Sequence, residues 1–406
     1  MQVRPHRGQW WVAAGAAMLL VVAGCGGDDG GDEGGASGGA QGFEVPDVPM
    51  KQSVGKGEGE LNVVAWAGYV EDGSTDPSAD WVTPFEKETG CQVNVRVGAT
   101  SDEMFQLMKT GEYDVVSASG DASLRLIAGG YVQPVNLDLV PNYKDIFPAL
   151  KMQPWNSVDG KPYGIPHGRG ANLLAWRTDE VKPAPTSWDV VFDDASQYKG
   201  KVTAYDNAIY IADAALYLMK HKPSLGIENP YALDQKQFNA AVDLLKEQNA
   251  NVGEYWSDAL KEIASFKSGD TVVGTTWQYQ VNSLAAEKAP VEATLPDEGS
   301  TGWSDTWEVA ADAQNPNCAY KWLDHVVSPE VNAQIAEWFG EAPANQKSCE
   351  LTADPEHCAT FHATDEAYFD KVWYWTTPIA QCLDGRENVE CVDYADWVQA
   401  WTEIKG

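Results

Sequence analysis

The feature that most constrains the fold is a regular alternation of short β-rich runs and helix-like segments near the start of the folded body. Strand and helix patterns follow one another in the order 61–66, 76–89, 92–97, 102–110 and 113–116. Both helix patterns end at a glycine, and Ser101 precedes the second as its predicted cap. This β-α-β-α-β order predicts an α/β lobe with a largely parallel sheet.

Polar and aromatic residues follow two of these predicted strands. Ligands of parallel sheets bind beyond the carboxyl ends of the strands. Trp66 and Tyr69 follow the first strand pattern, and residues 117–121, with Ser119 and Asp121, follow the third. The sheet geometry therefore nominates these residues as ligand contacts, while burial in the core is the alternative for the aromatic ones.

The same alternation continues through the rest of the chain. Further helix patterns lie at 211–220, 237–248, 257–267, 318–327 and 329–338, and further strand patterns at 201–204 and 271–276. A body of about 345 residues exceeds what one hydrophobic core usually supports. We therefore predict two α/β lobes.

The N-terminus has the pattern of an export signal. Arg4 and Arg7 precede an apolar run over residues 10–23, which predicts a signal peptide at 1–24. The small residues before Cys25 resemble a bacterial lipobox, so we expect Cys25 to carry the lipid anchor; an ordinary signal peptide is the alternative. Residues 25–60 are rich in glycine and acids, which predicts a flexible tether.

Six further cysteines predict disulfides in an exported protein. Short loops favour two local pairs and leave one long-range pair; the predicted pairs are Cys349–Cys358, Cys382–Cys391 and Cys91–Cys318. A zinc site at His357, Cys358 and His362 is the alternative, but no CxxC accompanies this cluster, so no metal site is predicted.

Charge and motifs exclude several classes of function. With 60 acidic and 28 basic side chains, the formal charge is −32, which argues against nucleic-acid binding. One apolar stretch cannot make a polytopic membrane protein. No GxSxG, HExxH or P-loop motif occurs, so we predict no enzyme and no cofactor. A hydrolase that uses Asp206 and Asp305 as paired acids is the enzymatic alternative.

The order and spacing of short segments resemble the spermidine/putrescine-binding family of periplasmic solute-binding proteins of bacterial ABC importers. The matching segments are 65–70, 85–90, 113–119, 163–166, 186–188, 198–200, 277, 302–305 and 328–331. The resemblance implies a two-lobed periplasmic-binding-protein fold of type II, in which a hinge joins two mostly parallel sheets flanked by helices. Lobe 1 would comprise 61–172 and 305–355, lobe 2 would comprise 173–304, and 356–406 would pack on lobe 2.

The resemblance also implies a function. The protein would act as an extracytoplasmic lipoprotein and a monomer, capturing a polyamine between its lobes and delivering it to an ABC permease in the membrane. Contacts with the ligand would come from matched positions: Trp66 and Tyr69 as one wall, Ser119 as a polar contact, Asp206 and Asp305 as acceptors for the two ammonium groups, and Trp277 and Trp303 as a sandwich around the alkyl chain.

Several positions depart from the family pattern. The second acid expected shortly after Asp206 is absent from 207–210, Asp121 replaces one of two tyrosines, and Glu341 stands where the family has a pocket tyrosine. Arg169 adds a cation that would favour a ligand carboxylate or pair with a site acid. We therefore add Asp121 and Glu341 to the candidate site; a zwitterionic amine, a thiamine-like compound and ferric ion are the alternative ligands.

Overall fold

The computed structural model describes residues 45–406, so the predicted signal peptide, Cys25 and the first part of the tether lie outside the described residues. The strands are β1 Glu60–Ala65, β2 Gln92–Val97, β3 Val115–Ala118, β4 Ser157–Val158, β5 Lys161–Pro162, β6 Gly164–Pro166, β7 Gly168–Ala171, β8 Leu173–Arg177, β9 Val202–Tyr205, β10 Val252–Trp256, β11 Val273–Thr276, β12 Val291–Thr294, β13 Ser300–Trp303, β14 Thr306–Val309, β15 Ala342–Pro343 and β16 Val372–Tyr374. The helices are α1 Val82–Thr89, α2 Ser101–Met108, α3 Gly120–Ala128, α4 Ile211–His221, α5 Gln235–Asn249, α6 Ala259–Ser268, α7 Gln278–Ala286, α8 Pro316–Val326, α9 Pro329–Phe339, α10 His357–Thr360, α11 Glu366–Phe369 and α12 Tyr394–Lys405. Across residues 45–406, no helix combines the length and the hydropathy that a membrane crossing requires.

The first sheet has the strand order β2-β1-β3-β14-β6, and every strand in it except β14 runs in the same direction. Alternate residues of a strand face opposite sides of the sheet. Val63 and Val115 pack toward α1 and α8, whereas Val64 and Val116 pack toward α2 and α3. Helices therefore cover both faces, and we call this unit the first lobe.

The second sheet repeats this plan with the order β10-β9-β11-β8-β12, in which only β8 opposes the other strands. Val202 and Ala204 pack with α4, α5 and α12 on one face. Ala175 and Val291 pack with α6 and α7 on the other face. This second lobe confirms the prediction of two α/β units with mostly parallel sheets.

A third sheet, ordered β15-β7-β13-β16, joins the two lobes. Strand β7 leads from β6 to β8, and β13 leads from β12 to β14, so both connections cross here. A Cβ atom on Gly302 would lie 2.5 Å from the carbonyl oxygen of Gly170, so this pairing requires glycine. The predicted changes of lobe, at 172/173 and 304/305, fall just after β7 and β13, and these boundaries stay predictions.

Two predicted helix starts are wrong. Helix α1 begins at Val82 and not at Asp76, because the Asp76 carboxylate accepts the backbone N–H of Ser78 at 2.8 Å and forms a turn. Thr100 rather than Ser101 caps α2, since the Thr100 hydroxyl accepts a backbone N–H of the first turn at 3.1 Å. The third strand likewise begins two residues later than predicted, at residue 115.

The three predicted disulfides are confirmed. They are Cys91–Cys318, Cys349–Cys358 and Cys382–Cys391. The first connects the start of β2 to α8 within the first lobe, and the other two close short loops of the C-terminal segment. Since Cys358 is disulfide-bonded, it is not available for the alternative zinc site.

The predicted tether is wrong at its C-terminal end. The Glu58 carboxylate accepts the backbone N–H groups of Asn317 and Cys318, each at 3.0 Å, at the start of α8. The backbone N–H of Gly55 donates to the Asn317 side chain at 2.8 Å, and Glu60 already belongs to β1. This stretch is therefore part of the first lobe.

Candidate ligand-binding cleft

A buried carboxylate, Asp305, lies in the short link between β13 and β14. It accepts hydrogen bonds from the Tyr69 hydroxyl at 2.8 Å and from the Ser119 hydroxyl at 2.7 Å. Tyr69 follows β1 and Ser119 follows β3, so adjacent strand ends bring these residues together, as the predicted sheet requires. Burial raises the pKa of Asp305 to about 6, although the two hydroxyl donors partly offset it.

A second buried carboxylate, Glu341, lies beside this group. Its Oε1 atom is 3.2 Å from Nε2 of His167, and neither oxygen accepts a hydrogen bond from the residues that the structure describes. A Cβ atom on Gly168 would lie 2.3 Å from the Glu341 carboxyl carbon, so the carboxylate fits only over a glycine. Burial, and then the charge of Asp305, raises the pKa of Glu341 well above its usual value.

His167 is held as a neutral ring. Its Nδ1 atom accepts a hydrogen bond from Nε1 of Trp307 at 2.7 Å, which leaves the ring proton on Nε2, an atom without a hydrogen-bond partner among the described residues. Burial lowers the pKa of His167 to about 3. The ring also stacks on Tyr69, with 3.8 Å between centroids. His167 therefore orients the neighbouring groups without supplying a positive charge.

A cluster of aromatic rings lies at the strand ends of the second lobe and on β13. The centroids of Trp277 and Trp303 are 6.0 Å apart with an interplanar angle of 67°, so the predicted sandwich is a corner rather than two parallel plates. Tyr205 and Trp256, at the ends of β9 and β10, lie 5.6 Å and 4.9 Å from Trp277. Trp375 stacks on Tyr205 at 5.4 Å. The second lobe and the crossing strands thus supply an apolar wall with π faces.

Several buried polar atoms of the cleft lack partners. Nε1 of Trp66, Trp303 and Trp375 donates to no group within residues 45–406. Buried polar groups in folded proteins normally have a hydrogen-bond partner. The walls of one cavity include Trp277, Trp303, Glu341 and Arg169. Trp303 and Glu341 therefore combine an unpartnered polar group with a place on the cavity wall.

Asp121 has hydrogen-bond partners different from those of Asp305, although its charge adds to the rise that burial causes in the pKa of Asp305. Its carboxylate is buried at the start of α3, where it accepts from the Ser101 hydroxyl at 2.8 Å and the Tyr394 hydroxyl at 3.3 Å. Burial raises its pKa to about 6. Because Ser101 belongs to the first lobe and Tyr394 to α12 on the second, Asp121 joins the two lobes.

The Asp206 carboxylate is bonded to the C-terminal helix α12. It accepts from Nε1 of Trp401 at 3.1 Å and forms an ion pair with Lys405. Both partners lie on α12, and the structure shows no bond between Asp206 and the Asp305 group within its described residues. The two predicted ammonium acceptors therefore lie in separate hydrogen-bond networks, and their roles at the two ends of one ligand stay predictions.

The Arg169 side chain forms its hydrogen bonds within the protein. Its buried guanidinium donates to Glu366 and to the carbonyl of Ala363, each at 2.9 Å, and lies 3.8 Å from the ring centroid of Phe369. The predicted pairing with an acid therefore occurs, but with Glu366 of the C-terminal segment rather than an acid of the cleft.

Sequence reasoning did not nominate four residues of the cleft as ligand contacts. They are His167, Tyr205, Trp256 and Trp375. Tyr205 and Trp256 end parallel strands of the second sheet, so the rule that nominated Trp66 could have found them. Trp375 lies in the C-terminal segment, where no local pattern indicates its approach to Tyr205.

Comparisons with known proteins agree on one family. The family model described as bacterial extracellular solute-binding protein matches residues 80–360. Spermidine/putrescine-binding periplasmic protein 1 of Haemophilus influenzae is 27% identical over 323 residues, covering 76% of this chain and 84% of the relative.

Solved structures share the fold. The spermidine/putrescine ABC transporter substrate-binding protein PotD of Streptococcus pneumoniae matches with a TM-score of 0.64 and 20% identity, covering 86% of this chain and 99% of that one. The protein MotA of A. tumefaciens B6, in complex with glucopine, matches with a TM-score of 0.62 and 19% identity, covering 86% and 100%. At these identities the likeness establishes the periplasmic-binding-protein fold alone.

Proposed function

The chain belongs to the bacterial extracellular solute-binding protein family, and on this premise we propose that it captures an amine cation of the putrescine and spermidine class. The observation that carries the proposal is the buried Asp305 carboxylate, which Tyr69 and Ser119 orient two residues after Trp303, a member of the aromatic corner with Trp277. Relatives named as spermidine/putrescine-binding proteins support the same class of solute.

The chemistry of a polyamine matches the two walls of the cleft. A polyamine alternates ammonium groups with methylene chains. Carboxylates form charge-assisted hydrogen bonds with ammonium groups, and aromatic faces attract cations by roughly 0.5–2 kcal/mol each while they cover the methylenes. We assign Asp305 and Glu341 to one ammonium group and the rings of Trp277 and Trp303 to the chain.

The charge balance of the cleft supports a cation rather than an anion. Within residues 45–406, no lysine or arginine forms an ion pair with Asp305 or Glu341. His167 is neutral because burial lowers its pKa to about 3, and Arg169 is paired with Glu366. Burial raises the pKa of Asp305 and Glu341 and so disfavours their ionised forms, whereas a bound ammonium group favours those forms.

The route of delivery follows from the family. We propose that the two lobes close on the amine at the crossing strands, and that the closed monomer delivers it to an ABC permease. We also retain lipidation at Cys25 as the anchor to the outer face of the membrane. Incorporation of a labelled fatty acid, lost on Cys25→Ala, tests this anchor.

Isothermal titration calorimetry tests the proposed solute class. The panel is putrescine, spermidine, agmatine, betaine and γ-aminobutyrate, titrated into the purified protein. We expect micromolar or tighter binding of at least one of the three purely cationic amines. Binding of betaine or γ-aminobutyrate alone refutes the proposal, and chemical turnover of any of these compounds refutes the assignment as a binding protein.

A further inference from the structure

Three potential metal ligands converge at the edge of the second lobe, away from the cleft. Asp189 lies in a short turn, His221 is the last residue of α4, and Glu298 precedes β13. One ligand atom from each lies within 4.8 Å of the others. Nε2 of His221 is 2.8 Å from Glu298, and its Nδ1 is 3.5 Å from Asp189. Segments far apart in sequence therefore bring two carboxylates to the two nitrogens of one imidazole, with a ligand atom of each group within 4.8 Å of the others.

Neighbouring donors fix both carboxylates. The Ser187 hydroxyl donates to Oε1 of Glu298 at 2.5 Å, and the Tyr217 hydroxyl donates to Asp189. The Tyr217 ring also stacks on the imidazole of His221 at 4.1 Å. Hydrogen bonds to ligating carboxylates and packing against a ligating histidine are typical of the surroundings of metal sites.

We propose that Asp189, His221 and Glu298 bind a zinc ion. Imidazole nitrogen and carboxylate oxygen are zinc ligands, and three protein ligands plus one water complete a tetrahedral site. Two carboxylates and a neutral imidazole carry two negative charges, which match the charge of the ion. Calcium and magnesium prefer sets made only of oxygen, so the imidazole selects against them.

A zinc ion at this site would stabilise the segment that leads into the crossing strand β13. Glu298 lies two residues before β13, and Nε1 of Trp188 already donates to the carbonyl of Gly299 at 3.0 Å. The ion would tie α4 and the turn around Asp189 to the start of this crossing strand. The site is separate from the proposed amine site, so either can fail without the other.

The test is zinc binding by the metal-stripped protein. We expect calorimetry with zinc chloride to show one saturable site, and His221→Ala and Glu298→Gln each to weaken it at least 30-fold. His362→Ala is the matched control, because His362 is also a surface histidine beside an aspartate, Asp365, at 3.7 Å. Zinc should also raise the melting temperature of the unsubstituted protein.

X-ray absorption of the zinc-loaded protein should show one imidazole with oxygen ligands at about 2.0–2.1 Å and no sulfur. The proposal is overturned if no saturable site appears. It is equally overturned if Glu298→Gln binds zinc as well as the unsubstituted protein, in which case His221 serves only as a hydrogen-bonded bridge between the two carboxylates. If His221→Ala does not fold, Glu298→Gln alone decides.

Discussion

The substitution Asp305→Asn tests the cleft most sharply. In the proposed complex the Asp305 carboxylate faces an ammonium group while it accepts from the Tyr69 and Ser119 hydroxyls at 2.8 and 2.7 Å. Asparagine keeps the shape of the side chain, and either hydroxyl can turn to suit the new amide. The substitution therefore removes the negative charge with little change in packing.

The expected loss follows from the strength of such contacts. A hydrogen bond to a charged group contributes about 1.5–3 kcal/mol, and leaving a buried ion without its partner costs about 3–5 kcal/mol. Because Glu341 remains beside the ammonium group, we expect the lower part of this range, about 2–3 kcal/mol. This corresponds to a roughly 30- to 150-fold rise in Kd.

Calorimetry on matched variants is the assay. Asp206→Asn is the control, because its carboxylate already pairs with Lys405 and Trp401, and we expect its Kd to stay within about threefold of the unsubstituted protein. Thermal melting checks that both variants fold. An affinity for amines that is unchanged in Asp305→Asn, or that falls as far in Asp206→Asn, would refute the assignment of Asp305.

Three further predictions concern pH, packing and the longest disulfide. Burial raises the pKa of Asp305 to about 6, so the ionised form of Asp305 is lost as the pH falls through 6. Calorimetry should therefore show the Kd for amines rising roughly tenfold from pH 7 to pH 5. A Kd that does not change with pH contradicts this prediction. A Cβ atom on Gly170 would lie 2.5 Å from the tryptophan ring above it, so Gly170→Ala should weaken amine binding at least tenfold, whereas Gly55→Ala, with contacts no closer than 3.6 Å, should not. Replacing Cys91 and Cys318 by alanine should lower the free energy of unfolding in urea by roughly 5 kcal/mol, because the bridge spans 227 residues; a loss no greater than that for a nine-residue bridge contradicts the entropic reasoning.

Local patterns were sufficient to predict much of the fold. The alternation near the N-terminus predicted β1, β2 and β3, and the rule of strand ends brought Tyr69 and Ser119 to one edge of the sheet. The rule of strand ends could not by itself place Asp305 at this edge of the first sheet, because β14 joins that sheet only after the whole second lobe. The prediction that Asp305 contacts a ligand came from the family resemblance and not from the hydrophobic periodicity.

The remaining features depend on contacts that are distant in sequence. Lys405 reaches Asp206, and Glu366 reaches Arg169, from a C-terminal segment whose path no local pattern indicates. The sequence shows each charge but not its partner. These partners decide which charges face a ligand. The sequence suggested a ligand contact for Asp206 and for Arg169, whereas in the structure each side chain is paired with another residue of the protein.

A crystal structure of the protein with its tightest-binding amine tests the central claim most directly. We predict an ammonium nitrogen within about 3 Å of an Asp305 carboxylate oxygen, with the methylene chain against the rings of Trp277 and Trp303. A ligand whose charged group instead lies on Asp206, or a ligand carboxylate on Arg169, would contradict the account.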